Sequence, residues 1–120
     1  WTGISGREYE FEVFPLGQEF LPVPGVYIFC RSVGDGRYVA LYVGEAQSLN
    51  DRLNTGLRDH DGFKRACHYK ATHVATRGVA TSDCVGIETD LRHGIDPVCN
   101  RQSVEATKPI RTLRGLMSGI

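Results

Sequence analysis

Glu88 is the residue whose type and position point most directly to chemistry. With about 3.6 residues per helical turn, it falls inside an apolar arc of its predicted helix, made of Cys84, Ile87, Leu91 and Ile95. A carboxylate there is costly to bury unless a cation or hydrogen bonds satisfy it. Two interpretations stay open: an ion pair with an arginine such as Arg52 or Arg92, or an oxygen ligand for Mg²⁺, which often takes only one or two carboxylates.

Two further polar residues have side chains suited to a phosphate or an amide contact. Arg52 flanks an apolar helix stripe, three residues after Leu49. Its guanidinium is either exposed to solvent on the helix surface or binds phosphate oxygens. In the second case its planar group would offset the charge that develops in a transition state. Asn100 follows Pro97 and is either a turn residue or an amide that holds a substrate or a neighbouring backbone segment.

The stretch from Pro24 to Gly44 predicts the element that positions these side chains. It holds two β-branched and aromatic runs, P-G-V-Y-I-F-C-R and Y-V-A-L-Y-V-G, joined by the turn-rich S-V-G-D-G-R. This pattern is typical of a β-hairpin. Because side chains alternate along a strand, Tyr27 lies on the opposite face of the first strand from the residues next to it, and Tyr42 does so in the second strand. Each strand therefore carries one tyrosine.

Hydrophobic periodicity predicts the remaining elements. Residues 7–14 alternate aromatic or aliphatic with acidic side chains and predict a half-buried strand with an acidic outer face. A helix capped by Ser48 carries a stripe of Leu49, Leu53 and Leu57, with Gly56 marking close packing, a bend or an early end. Three elements follow: a short helix at 63–69, a strand at 72–79, and a helix from 82 or 83 to 93 that stops at Gly94.

Together these elements predict one α/β domain of the α+β sandwich type. Its small central sheet is mostly antiparallel, has an additional N-terminal strand, and is flanked by about three helices. We expect residues 1–120 to form this single domain, because the length supports one core and not two. The core covers about residues 24–100, with a strand and connector at 1–23 and a tail at 101–120.

Composition and charge limit the classes of function that the chain can have. No apolar run reaches the roughly 18 to 20 residues needed to span a bilayer, so no membrane partner is expected. The four cysteines form no C-x-x-C pair, which favours reduced thiols and, with no visible signal peptide, a cytoplasmic location. A zinc site of scattered cysteine and histidine is not expected, because paired ligand spacing is lacking. Net charge is zero, but residues 51–120 hold 11 basic against 8 acidic side chains, so a basic face would come from the later elements.

Five features, in order, make the chain similar to the GIY-YIG nuclease family. They are a G-V-Y strand at 25–27, a Y-V-G strand end at 42–44, Arg52 on the next helix, Glu88 with Leu91 in a later helix, and a P-x-x-N ending at 97–100. The resemblance covers roughly residues 24–100. One G-V-Y would be a weak signal, whereas five features in the same order form a specific one.

The resemblance implies a metal-dependent endonuclease that hydrolyses phosphodiester bonds of nucleic acid, with DNA as the expected partner. One Mg²⁺ or Mn²⁺ ion would be held by Glu88. Tyr27, helped by Tyr42, would activate or orient the attacking water, although an ordinary tyrosine pKa near 10 requires a neighbouring cation or hydrogen bond. Arg52 would steady the scissile phosphate, and Asn100 would support the site.

The positions around this motif carry further implications and two departures. Gly44 would allow a sharp passage from strand to helix. Some family members have a lysine directly after Y-V-G, where this chain has Glu45, and some have a histidine one turn after the arginine, where it has Gly56. His60 would substitute for that histidine if the helix continues. Lys64, Arg65 or Lys70 would then supply the positive charge toward the substrate.

Two other classes of function remain open. A catalytically weak or inactive module could bind nucleic acid or act as an adaptor on the same scaffold, which the zero net charge and Glu45 motivate. A protein–protein interaction module is the third class, motivated by the acidic strand at residues 8–12. The sequence leaves DNA against RNA, specificity and oligomeric state undetermined.

Overall fold

The computed structural model describes residues 1–100 as four strands, two α-helices and two short helical turns. The strands are β1 (Glu12–Pro15), β2 (Gly25–Gly34), β3 (Arg37–Ala46) and β4 (His73–Gly78), and the helices are α1 (Asp61–His68) and α2 (Thr81–Ile95). A π-helical turn (Asp51–Thr55) and a 3-10 turn (Leu57–Asp59) lie between β3 and α1. The strand order is β1-β4-β2-β3, with every neighbouring pair antiparallel. The predicted α+β fold class is therefore confirmed, while the predicted tail at 101–120 lies outside the described residues.

The predicted hairpin is present as β2 and β3. Its two connecting residues, Asp35 and Gly36, have φ values of 56° and 69°. Positive φ at both positions is the signature of the type I′ turn, whose twist matches that of the flanking strands. The register pairs Tyr27 with Gly44 and Val26 with Glu45, which fixes what lies next to the first tyrosine.

The sheet separates two hydrophobic layers because side chains alternate along β2. Tyr27 and Phe29 belong to the layer that includes Leu53 and Ala66, so this face packs against the π-helical turn and α1. The opposite layer packs against α2 and the N-terminal segment, and its buried members are Tyr9, Val26, Ile28, Cys30, Val43, Ala75 and Leu91. Strand β3 is an edge strand that contacts α1 and α2. Residues from both helices therefore meet near this edge.

The N-terminal strand is shorter and later than predicted. Strand pairing covers only Glu12–Pro15, while residues 2 and 8 form an isolated bridge. The predicted alternation nevertheless holds, because Tyr9 is buried and the glutamates beside it are exposed. Residues before β1 fold onto α2 instead of extending the sheet: the Tyr9 hydroxyl donates to Asp90 at 2.8 Å, and Ser5 also donates to Asp90.

The helix predicted after β3 ends early. Ser48 Oγ accepts a hydrogen bond from the Asp51 backbone, as expected of a cap, and Leu49 and Leu53 are buried. The Gly56 N–H then donates to the Asp51 carbonyl at 2.7 Å, and a Cβ on Gly56 would lie 2.7 Å from that oxygen. The chain therefore leaves the helix at Gly56, which is the early end named among the alternatives for this glycine, and the helix does not continue to His60.

The two α-helices also differ from prediction at their ends. Helix α1 begins at Asp61, because the His60 ring caps it by accepting from the Phe63 N–H. Helix α2 continues past Gly94 to Ile95, and the left-handed residue that ends it is Asp96. Gly94 has a packing role instead: a Cβ there would lie 2.5 Å from the backbone of Gly3. Within residues 1–100, no helix has the length and apolar character needed to cross a membrane.

Candidate active site

Tyr27 is the centre of the group of polar side chains that the fold brings together. Only 1% of the residue is exposed, yet its hydroxyl has two nitrogen neighbours. The Oη atom lies 2.5 Å from His60 Nε2, and the Arg52 Nε–H donates to it at 3.3 Å. The π-helical turn therefore positions Arg52, and the connection between the 3-10 turn and α1 positions His60, against the same phenolic oxygen.

The surroundings of Tyr27 act on its pKa in opposite directions. Burial raises the pKa of Tyr27 well above its ordinary value and outweighs the hydrogen bond and charge of Arg52, which lower it. The Tyr27 contact in turn raises the pKa of Arg52, which keeps the guanidinium charged. Arg52 is exposed to solvent. Its fork is therefore free to meet a ligand while its Nε stays over Tyr27.

Two glycines let aromatic rings come close to the backbone here. A Cβ on Gly44 would lie 2.5 Å from Cζ and Oη of Tyr27, and one on Gly62 would lie 2.6 Å from Cζ of Tyr42. Gly44 lies inside β3 and not at a turn. Its role is thus to admit the Tyr27 ring, which corrects the expectation of a sharp strand-to-helix passage. Gly62 was not singled out from the sequence, because Asp61-Gly62 resembles a break between helices.

Tyr42 lies between the Tyr27 cluster and helix α2. Its ring is half-buried, 6.3 Å from the Tyr27 ring and 5.4 Å from His60 between centroids. Burial raises the pKa of Tyr42, and Glu88 adds to this, while three arginines oppose it: Arg52, Arg65 and Arg92. The pKa of Tyr42 therefore depends both on the charges near Tyr27 and on the charges of helix α2.

Glu88 forms the ion pair with Arg92 that was one of the two interpretations of its position, and its role as a metal ligand stays a prediction. Its Oε2 lies 3.4 Å from Arg92 Nε, one helical turn later, with 17% of the Glu88 side chain exposed. The Arg92 N–H is not aligned as a hydrogen bond despite this ion pair. Burial raises the pKa of Glu88, against the lowering effect of Arg92. Both carboxylate oxygens have a partner, because Thr89 Oγ1 donates to Oε1 at 3.4 Å. Glu88 acts on Tyr42 through its charge, without a direct hydrogen bond.

Glu45 is a site residue that sequence reasoning treated only as a departure. Its Oε1 atom is buried and has no hydrogen-bond partner. Its charge raises the pKa values of Tyr27 and Glu88, so it lies near both. An orphaned buried carboxylate oxygen is costly without a cation. The signal that could have found it is its place opposite Val26 in the hairpin, which aims it toward the α2 face.

The other predicted residues lie at different distances from this centre. Asn100 bridges the backbone of Val43 with two hydrogen bonds, of 2.8 Å and 3.0 Å, and so holds the edge strand beside Tyr42. Arg65 donates to the Cys99 carbonyl at 3.1 Å, which keeps its charge near Tyr42 and His60. Lys64 is exposed and pairs at 3.9 Å with Asp61, on the outer surface of α1.

Metal-ligand clusters of the conventional kind are not found among residues 1–100. No group of three or more histidine, cysteine, aspartate or glutamate side chains in that range is placed to hold an ion. Cys30, Cys84 and Cys99 are buried and unpaired, and Cys67 is exposed. Any metal at this site would therefore depend on one or two carboxylates and on water.

Comparison with known proteins identifies no relative: no family model, curated protein or solved structure matches the chain. The geometry itself defines the site. It combines a buried phenolic oxygen between a neutral ring and a guanidinium, an exposed arginine fork, and two carboxylates that influence each other.

Proposed function

We propose that this chain is a metal-dependent endonuclease of the GIY-YIG type, with DNA as its substrate. One observation carries the proposal: Arg52 lies over the buried Tyr27 hydroxyl at 3.3 Å while remaining exposed to solvent. An arginine fork can bind two phosphate oxygens. A phosphodiester held there would lie directly above an oxygen that can orient a water molecule.

The carboxylates fit one divalent cation. Glu88 and Glu45 would hold it. The buried Oε1 atom of Glu45 has no hydrogen-bond partner, so a cation there would compensate its charge. The two carboxylates are close enough for the charge of Glu45 to raise the pKa of Glu88. Mg²⁺ or Mn²⁺ suits oxygen ligands and retains waters in the remaining positions. When bound, such an ion polarises the phosphoryl oxygen and stabilises the leaving oxygen.

The chain's own residues supply the remaining parts of the proposed reaction. Arg52 binds the scissile phosphate and offsets its charge, and Arg65 and Arg92 add positive potential around Tyr42. Tyr27 and Tyr42 orient the attacking water. Asn100 keeps the edge strand in register through its two bonds to the Val43 backbone. Arg92 holds Glu88 as a charged carboxylate until its ligand arrives.

A second candidate is a nucleic-acid-binding adaptor on the same scaffold. It is favoured by the ion pair between Glu88 and Arg92, which occupies the proposed metal ligand, and by a net charge of zero. Under this alternative the arginines near Tyr42 bind phosphates without hydrolysis. In either case the unpaired cysteines favour a reducing, cytoplasmic setting.

A panel of substrates separates these candidates. Supercoiled plasmid, single-stranded DNA and RNA are incubated with the full chain in Mg²⁺, Mn²⁺ or EDTA, next to Glu88→Gln purified in parallel. We expect cleavage of DNA that requires the metal and is absent in the variant. Binding to an oligonucleotide with no cleavage of any substrate in either metal would favour the adaptor and overturn the nuclease.

A further inference from the structure

A groove of about 290 Å³ lies between strands β1 and β4 and the connector that joins β1 to β2, residues 16–24. Strand register places Phe14, which lines the groove, opposite Val74, and Val74 opposite Phe29. Because these three side chains share one face of the sheet, the groove opens on the face that also carries Tyr27. We call it the connector groove. Its apolar lining consists of Phe14, Phe20, Leu21, Val23 and Leu49.

Hydrogen bonds hold the connector in place, so the groove is formed before anything binds. The Phe20 N–H donates to Asn50 Oδ1 at 2.8 Å. The Leu49 N–H donates to the Val23 carbonyl at 2.9 Å. The rings of Phe14 and Phe20 meet edge to face, 5.6 Å apart between centroids. A site that is already formed loses little conformational entropy when a ligand binds, which favours affinity.

The connector leaves apolar side chains exposed at the rim of this groove. Leu21 is 73% exposed, and its neighbour Val23 is 38% exposed. Single exposed apolar residues are ordinary on a protein surface. These two lie next to an apolar groove, so together with its lining they form one contiguous surface. Apolar surfaces of this kind with a polar rim are typical of interaction sites.

The polar rim of the connector groove is acidic. Glu12 and Glu19 line it and are exposed, and within residues 1–100 no lysine or arginine is part of the lining. Neither glutamate forms an ion pair with another residue of that range. These charges would repel a nucleic acid or an anionic membrane surface, whereas they attract lysine and arginine side chains of a protein. The complementary ligand is therefore a basic polypeptide with aliphatic side chains.

We propose that the connector groove binds a segment of another protein in which aliphatic residues are interspersed with lysine or arginine. The aliphatic side chains of this segment lie against Phe14, Phe20 and Leu21. Its basic side chains pair with Glu12 and Glu19 at the rim. The inference does not depend on the proposed nuclease function, because the groove contains none of the residues assigned to the reaction.

A partner in the connector groove lies close to the candidate site. Thr76 lines the groove and is the register partner of Tyr27 on the adjacent strand. Neighbouring strands are about 4.8 Å apart, so the partner binds on the same face of the sheet as Tyr27. The acidic rim and the arginines around Tyr42 differ in charge. The groove and the site therefore take different ligands at the same time.

Binding of three labelled peptides to the full chain tests the chemistry of the partner. Fluorescence anisotropy compares K-L-K-V-K-L-K with E-L-E-V-E-L-E, which reverses the charges, and with K-S-K-S-K-S-K, which removes the aliphatic side chains. We expect saturable binding of the first peptide that weakens as salt is added. The affinities of the other two should be lower by about 10-fold or more. Equal binding of all three peptides, or no binding of the first, would overturn the inference.

Matched variants test whether the first peptide binds in the groove. Leu21→Ser removes an apolar side chain from the rim, and Val85→Ser removes a similarly exposed one from α2. We expect Leu21→Ser to weaken binding by about 10-fold or more, and Val85→Ser to bind like wild type. Glu19→Gln should weaken binding by about 2-fold to 5-fold, whereas Glu8→Gln, outside the groove, should not. Equal affinities within either pair would place the peptide elsewhere and contradict the inference.

Two other occupants of the groove give different results. A second copy of this chain would produce dimers in sedimentation equilibrium that Leu21→Ser dissociates. The chain's own residues 101–120, which hold four basic side chains and one acidic side chain, would block the peptide until the double substitution Leu113→Ser and Leu116→Ser frees the groove. Either result would assign the groove to this chain itself and refute a separate partner.

Discussion

At the scale of single residues, the candidate site depends on Tyr27 having two nitrogen neighbours of different kinds. Arg52 supplies charge and is exposed to solvent, while His60 is neutral and enclosed. The sequence predicted the tyrosine and the arginine, because the order of the motifs places both. It did not predict the contact with His60, because that depends on where the helix after β3 ends.

Replacing Arg52 with lysine tests whether the planar fork matters more than the charge. Arg52→Lys keeps the positive charge but loses Nε and the bidentate geometry. We expect the cleavage rate to fall by about 100-fold or more, as for loss of an oriented donor to a transition state. The measurement is single-turnover cleavage of plasmid. Arg58→Lys, on the neighbouring 3-10 turn, is the matched control and should cleave like wild type. Equal rates for Arg52→Lys and the control would contradict the role of the fork.

The buried His60 predicts a pH dependence of stability. Its folded-state pKa of about 4 lies below its ordinary value of 6.5, so protonation favours the unfolded chain. This contribution to stability is present above pH 6.5 and is lost as the pH falls toward 4, by up to about 3 kcal/mol. Urea unfolding of wild type and His60→Gln at pH 7, 5.5 and 4.5 measures it. The variant should lose less stability on acidification, and parallel losses would contradict the assignment.

Among the secondary-structure elements, the helical segment after β3 is the one that the sequence predicted least well. The leucine stripe predicted the first helical turn correctly, since Leu49 and Leu53 are buried. It could not show that the chain would leave the helix at Gly56, because the stripe continues to Leu57. That departure places His60 beside Tyr27 instead of on a helix surface. A close backbone approach at Gly56, and not periodicity, decides the geometry of the site.

The same close packing makes Gly44 sensitive to a single methyl group. Gly44→Ala would place Cβ 2.5 Å from Cζ and Oη of Tyr27, so the ring must move. We expect a loss of about 1 to 3 kcal/mol of unfolding free energy, together with reduced cleavage. Gly86→Ala is the control, because a Cβ at that exposed position of α2 meets nothing within 4 Å. It should increase stability by about 0.5 to 1 kcal/mol through helix propensity. Urea unfolding compares the two, and similar effects of both would refute the packing argument.

At the scale of the whole molecule, the edge strand β3 explains why residues far apart in sequence influence one another. The helices contact this strand, so Arg65 of α1 and Glu88 of α2 both act on Tyr42. The sequence predicted the α+β class, because the hairpin and the helical periods are strong local signals. It did not predict the extent of the N-terminal strand, because the contact of Tyr9 with Asp90 joins residues 81 positions apart.

The net charge of the molecule is zero, but its charged side chains are unevenly distributed. Its 14 basic and 14 acidic side chains cancel, yet the surroundings of Tyr42 include three arginines. A phosphate would therefore be attracted to this region and not to the surface as a whole. Under the proposed function, Glu45 and Glu88 would hold a divalent ion in the same region, so metal and phosphate would support each other's binding.

The rate of Mg²⁺-dependent DNA cleavage by three matched proteins tests the central claim most directly. These are the wild type, Glu88→Gln, and Asp83→Asn, which removes an exposed carboxylate from the same helix. We expect wild type and Asp83→Asn to cleave at similar rates, and Glu88→Gln to cleave no faster than wild type in EDTA. Cleavage by Glu88→Gln at the wild-type rate would contradict it.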